Sequence, residues 1–351
     1  MSASLQEEAM MRLRPGYQVY WHGPGSMQIG VDPRCAVVLD RLSEAEQRLL
    51  TELPKMMDVT WLQARGNELG MRPAQVRTLQ RRLSRAGVLT AAPAAGTPSE
   101  DERYWQLAEA AGVKRPADRR RAVVELRHAD PVGLRTALVL ARAGVGTIVL
   151  TDPGQVLAED IDTGLYDGDD LGEPRSRAGL GVLRSVAPHL RTSAPAGTRP
   201  DVVLLVDQLV VDPVPVRRLQ RTGQPYLNVL VTEVAVRVGP LVRPGNGACS
   251  TCVEHYRSST DPRWPAVAAQ AAVRGRGTVE PSLGWWAAVT AAQQLLALVD
   301  GREVATESAT VELAAWEPMP TRTVWAPHPD CECAGSRQGG TGPSSRSTTA
   351  A

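Results

Sequence analysis

Hydrophobic positions recur with two different periods along this chain, and the change of period divides it into segments. Tyr17, Val19 and Trp21 alternate before the turn His22-Gly23-Pro24-Gly25-Ser26, and Met27, Ile29 and Val31 alternate after it, which predicts a hairpin. Ala36 to Leu39 adds a short strand or a helix start. From Ser43 the spacing is helical. Ser43-x-x-Glu46 is a capping box that opens a helix through Leu53. A second helix is expected near Val59 to Glu68 and a third from Pro73 to Ala86, with Pro73 in its first turn and Gly87 as its stop. The third buries Val76, Leu79, Leu83 and Ala86 and carries Arg77, Arg81, Arg82 and Arg85 on its other face. Strands followed by three short helices describe a winged-helix unit.

Residues 1 to 10 read as a mobile lead, and Ala91 to Glu102 is a linker by composition. Tyr104 to Gly112 is a short helix, and the basic stretch Lys114 to Arg121 leads into the best-patterned stretch of the chain, Arg121 to Asp152. Val123, Val124 and Leu126 mark a strand. Leu134, Ala137, Leu138 and Ala141 form a helical stripe, Gly144 and Gly146 stop it, and Ile148 to Leu150 form a second strand that ends on Asp152. This is a βαβ unit. A dinucleotide-binding version carries G-x-G-x-x-G at the turn, because only glycine lets backbone N–H groups approach a pyrophosphate. Here the six positions are His128-Ala129-Asp130-Pro131-Val132-Gly133, and only the third glycine, which packs helix on strand, is kept.

An acidic loop (Asp160 to Glu173) and a helix from about Pro174 to Val186 follow. Asp201 to Val206 and Tyr226 to Val231 are apolar strands with a helix around Arg217 to Gln220 between them, and Val234 to Val242 is a further strand. Trp285 to Val299 is apolar nearly all round, a buried helix stopped by Gly301. Val311 to Leu313 and Thr323 to Trp325 are short strands, and the Gly, Ser and Thr tail is expected to be disordered. The expected fold class is α/β, a Rossmann-like doubly wound sheet behind a small winged-helix domain. Its segments are residues 1–90, a linker and lead-in helix over 91–119, the Rossmann-type domain over 120–335 and a tail over 336–351.

Composition changes this picture little. With 351 residues and 43% hydrophobic content, the chain is long enough for two cores. No apolar run reaches ~18 residues and no signal pattern opens the chain, so a cytoplasmic protein with no membrane partner is expected. The net charge of +1, carried almost wholly by arginine, argues neither for nor against a nucleic-acid partner. The cysteines add more. Four of the five lie in close pairs, Cys249-x-x-Cys252 and Cys331-x-Cys333, which is the thiolate set of a tetrahedral structural Zn²⁺ site. His255 and His328 lie near them as outer groups or loop residues, and Cys35 stands alone.

Several elements, in order, resemble the ThiF superfamily, the fold of ubiquitin-activating-type adenylyltransferases. They are Ala143-Gly144-Val145-Gly146 running to Asp152, Asp170-Leu171-Gly172-Glu173-Pro174-Arg175, Asp207-Gln208 after a strand, and GPLVRPG followed by CxxC and a distal cysteine pair. With the leading winged-helix segment and the HPxCxC ending, the chain is similar to one branch, the leader-peptide-binding proteins of azole-modified peptide biosynthesis. The resemblance implies ATP and Mg²⁺ as cofactors in adenylation of a carboxylate. It places Asp152 on the ribose, Arg175 where the family has a phosphate-contacting lysine, and Asp207 near Mg²⁺, with Gly133 kept at the loop. It also implies a homodimer. Three departures stand against activity. His128 and Asp130 replace the phosphate-facing glycines, the family's Asn-x-x-Arg-Gln element is missing from Asp160 to Tyr166, and no cysteine outside the zinc set lies in this domain to offer a nucleophile. The expected function is therefore a peptide- or protein-binding scaffold in a modification pathway. An extended leader peptide would add to the hairpin edge and meet the third helix. The alternatives are an active adenylyltransferase using Arg175, Asp152 and Asp207, and a DNA-binding regulator that uses the arginine face.

Overall fold

The computed structural model describes residues 10–335 apart from 55, 92–99, 115–118, 162, 275, 276 and 278. The expected lead, most of the linker and the tail from residue 336 lie outside the described residues. The chain forms two compact units, Met1–Pro116 and Ala117–Ala351.

The first unit runs β1 (Met11–Leu13), β2 (Val19–Gly23), β3 (Ser26–Ile29), β4 (Val37–Leu39), α1 (Glu44–Thr51), α2 (Val59–Glu68), α3 (Pro73–Arg85), β5 (Leu89–Ala91) and α4 (Glu100–Ala110). Strands β2, β3 and β4 make an antiparallel sheet in that order, and β1 pairs with β5. The capping box at Ser43 forms as the spacing requires, and Asp58 caps α2 by accepting from the Trp61 N–H. Met27 and Ile29 point into a core with Leu49, Leu50, Leu62, Val76, Leu79 and Leu83. The alternation expected on either side of the turn is only half realised. Trp21 is 70% and Val31 68% exposed, because β2 is an edge strand and Val31 lies beyond the end of β3.

The second unit runs β6 (Val123–Leu126), α5 (Pro131–Arg142), β7 (Thr147–Leu150), α6 (Ala158–Ile161), α7 (Arg175–Val186), β8 (Val202–Gln208), α8 (Pro213–Arg221), β9 (Tyr226–Val231), β10 (Ala235–Val242), α9 (Ser250–Thr260), α10 (Trp264–Arg274), α11 (Pro281–Val299), β11 (Ala309–Ala314), β12 (Thr321–Val324) and α12 (Glu332–Gly335). Its seven strands lie in the order β12-β11-β10-β9-β8-β6-β7. The β7, β6, β8 and β9 neighbours are parallel, and β9 to β12 are antiparallel. Successive residues of β8 serve opposite faces. Val202, Leu204 and Val206 join the core under α5, α7 and α11, while Val203 and Leu205 join a second core with α8, the start of α9 and three of the cysteines. A strand buried on both faces reads as a continuous apolar run, which is why Asp201 to Val206 was legible.

Three stretches differ from the sequence reading. The acidic loop contains the helical turn α6, which Asp160 fixes by accepting from the Leu157 N–H. Helix α9 has no side-chain N-cap to announce it, and α10 (Trp264–Arg274) is a further helix between the first cysteine pair and α11. Helix α11 begins at Pro281, earlier than its apolar run suggests. It is long and apolar enough to cross a membrane by length and composition, with half of that window buried in this unit, yet it exposes Trp285 and Val289.

Gly133 shows what the surviving loop glycine does. A Cβ there would sit 2.1 Å from the His128 carbonyl oxygen, a backbone atom that cannot step aside. Gly133→Ala is expected to cost about 1–3 kcal/mol in urea unfolding, the overpacking range. An unchanged midpoint would contradict this account of the helix–strand contact.

Candidate functional site

Strand β6 sits between β7 and β8, so the strand order reverses beside it. In open parallel sheets ligands bind at such a reversal, outside the carboxyl ends of the strands. A cavity of about 390 Å³ opens there, and His128, Asp130, Arg175, Val206, Asp207 and Gln208 are among its lining residues.

The loop at its floor is bonded to the protein on all sides. His128 Nδ1 accepts from the Val206 N–H at 3.0 Å, linking the ends of β6 and β8 across the reversal. The Ala129 N–H donates to Asp152 at 2.7 Å, and the Ala129 carbonyl accepts from the Tyr166 hydroxyl. Asp130 is the N-cap of α5: one oxygen accepts from the Gly133 N–H at 2.8 Å and the other from the Gln208 amide at 3.1 Å. The Asp130 carboxylate thus supplies a negative charge at the N-terminus of α5, where the helix dipole and the first N–H groups favour an anion.

The cation of the site is also engaged. Arg175, the first residue of α7, is mostly buried; its Nε donates to Asp160 at 2.8 Å and its Nη1 lies 3.8 Å from Asp152. The second oxygen of Asp152 accepts from the Gly154 N–H at 2.7 Å. Of the residues singled out from sequence, Arg175 and Asp207 line one cavity with Asp130. Asp152 reaches that group through Arg175, and Gly133 serves the helix–strand contact. Sequence reasoning missed Asp160 and Tyr166. Both lie in the acidic loop, where nothing in the local pattern sets a buried acid or ring apart from a solvated one.

Asp207 lies one residue before the end of β8 with its carboxylate buried, accepting from the Asn228 amide at 2.6 Å. Burial, opposed only in part by that bond, pushes its pKa up to about 7 from 3.8. Between about pH 4 and pH 7 the unfolded chain therefore releases this proton while the folded chain keeps it, so stability falls as pH rises through that window and levels off above it. Asp207→Asn, unfolded in urea with a chelator present, is expected to match the parent near pH 4 and to exceed it at pH 8. Parallel pH profiles would contradict the assignment.

A second cluster adjoins the core on the face of the sheet away from α5, α7 and α11. The sulfurs of Cys249, Cys252, Cys331 and Cys333 all lie within 4.8 Å of one another, with contacts of 3.7 Å (249–252), 3.6 Å (249–331) and 3.3 Å (252–333). A Zn–S length of ~2.3 Å gives a tetrahedral edge of ~3.8 Å, so the spacing and the soft donors suit one such ion. Cys249 and Cys252 flank the first turn of α9, and Cys331 and Cys333 flank the start of α12. The thiol of Cys252 is pushed down to about 4, chiefly because Cys249 donates to it. The His328 backbone also bonds to this sulfur, while its ring stacks on His255 at 5.0 Å. Cys35 packs against the core of the first unit and takes no part.

A sequence search of curated proteins finds no match. Solved structures share the fold. E. coli MccB with ATP aligns with a TM-score of 0.59 at 15% identity, covering 92% of this chain and 99% of that one. The microcin C7 biosynthetic enzyme MccB in complex with N-formylated MccA gives 0.58 at 15%, covering 93% and 100%. PaaA gives 0.62 at 14%, covering 88% and 98%. The ThiF family model matches residues 129–334, from the loop at the strand-order reversal to the last cysteine of the cluster and more than half of the 351 residues. The chain belongs to the ThiF family.

Proposed function

We propose that this ThiF-family chain recognises a peptide or protein in a modification pathway and no longer activates it with ATP. The observation that carries the reading is the loop at the strand reversal. Its backbone N–H groups at Ala129 and Gly133 go to Asp152 and Asp130, and the cation beside it is taken by Asp152 and Asp160. A triphosphate would have to displace three carboxylates from their partners in a mostly buried site, where such exchanges are costly. The four cysteines serve this scaffold as the ligands of a structural Zn²⁺.

Recognition is assigned to the first unit, read as a winged-helix module. Among the described residues strand β4, which follows the hairpin β2–β3 and extends its sheet, has β3 as its one neighbour and an exposed Val38, and α3 is tethered to its end through Arg82, which donates to the Asp40 carbonyl at 2.6 Å. An extended peptide can add beside β4 and lay its side chains against α3, where Arg77 and Arg81 face solvent. MccB, which shares the fold, has been solved in complex with N-formylated MccA. A second reading, an active adenylyltransferase, draws on Arg175 and Asp207 lining one cavity and on the ATP held by MccB.

Labelled peptides encoded by neighbouring genes, titrated with the full chain, test the recognition arm. Binding is expected, with a loss of ~10-fold in Arg77→Glu/Arg81→Glu. If no neighbouring-gene peptide or protein binds, the recognition reading fails.

A further inference from the structure

Arg135, in the second turn of α5, is only 3% exposed. Its guanidinium packs against the first turn of α11. A Cβ on Gly284 would lie 2.5 Å from Nη1, and Cζ lies 5.0 Å from the centre of the Trp285 ring. Among the described residues no carbonyl, hydroxyl or carboxylate accepts from it. Nε is enclosed without a partner, and the one acid whose charge it feels, Asp130, has both oxygens committed elsewhere. Arg119 shows how the same chain treats another buried arginine: Nε and Nη2 each reach Asp300 at 2.8 Å, and Nη1 donates to the Ala143 carbonyl.

An arginine cannot discharge itself by losing its proton, so burial leaves it a full cation. Buried charges are paired or hydrogen-bonded almost without exception, and an unsatisfied one points to a missing ion or ligand. The guanidinium fork matches planar carboxylate and tetrahedral phosphate oxygens two at a time. Gly284 keeps the space at Nη1 free of a side chain, and Trp285, 46% exposed, covers the guanidinium with its ring. We propose that Arg135 is the receptor for an oxyanion, a carboxylate or a phosphoryl group, which enters at the first turn of α11 beneath Trp285. Arg135 is not among the residues lining the cavity at Asp207, and the proposal stands whether or not the scaffold reading does.

The test uses the full chain in potassium phosphate, acetate or chloride at equal ionic strength, with thermal midpoints and tryptophan emission as readouts. Phosphate stabilises proteins generally by exclusion from their surface, so the informative quantity is the difference between the parent and Arg135→Met. The parent is expected to gain ~5 °C over chloride beyond any gain of Arg135→Met. Arg135→Met should show no lower midpoint in chloride, since replacing an unpaired buried charge by an apolar chain of similar length is not costly. Arg135→Lys should keep part of the response, and Trp285→Phe should remove the accompanying emission change. A gain in phosphate alone assigns a phosphoryl ligand, and a gain in both salts assigns a carboxylate-type site. Equal gains in the parent and Arg135→Met overturn the proposal, as does a midpoint of Arg135→Met that falls in chloride with no anion response in the parent.

Discussion

Purified protein is expected to carry about one zinc per chain, and Cys252→Ser is expected to release it and lower the thermal midpoint by ~10 °C. Structural zinc contributes ~10–16 kcal/mol to small zinc-dependent peptides. Here the cluster joins the start of α9 to α12 across a core that already contains Val203, Leu205, Val216 and Tyr226, so the unit keeps most of its burial when the ion leaves. What is lost is the fastening of the last described segment. Without a cation, four thiols within 4.8 Å can ionise together only against their mutual repulsion, and burial raises Cys333 to about 12. Elemental analysis of folded protein that finds no zinc, or a Cys252→Ser midpoint equal to that of the parent, would refute the zinc assignment.

Restoring the two missing glycines is expected to damage the fold without creating a nucleotide site. His128→Gly/Asp130→Gly removes the N-cap of α5, the bond to the Val206 N–H and the acceptor for Gln208, and gives the loop more freedom to lose on folding. Together these should cost about 3 kcal/mol of stability in urea. Arg175 would still be held by Asp160 and Asp152, so calorimetry with Mg-ATP is expected to show no heat of binding in either parent or variant. Saturable ATP binding by the glycine variant would show instead that two residues alone separate this chain from a working phosphate loop.

Much of the fold was legible because its period-bearing elements are buried on defined faces. Val123 to Asp152 alternates and then repeats at helical spacing, and β8 and β9 are continuous apolar runs because both of their faces are covered. The cysteine cluster was legible too, since C-x-x-C and C-x-C place pairs of sulfurs together whatever the intervening chain does. The partners within the crevice at the strand-order reversal were hidden. Asp160 and Tyr166 reach Arg175 and Ala129 through a loop whose path no local pattern encodes. Arg135 was hidden for a different reason. It falls on a mostly apolar helix and would be expected at the surface, and only the tertiary contact with Gly284 and Trp285 reveals it as a buried cation.

ATP–pyrophosphate exchange by the full chain, in zinc-supplemented buffer with a neighbouring-gene peptide present at saturation, tests the proposed loss of adenylation most directly. The geometry at Asp130, Asp152 and Arg175 predicts no exchange above the level of an Asp207→Ala control. Exchange in the parent that disappears in Asp207→Ala would contradict it and establish the chain as a working adenylyltransferase.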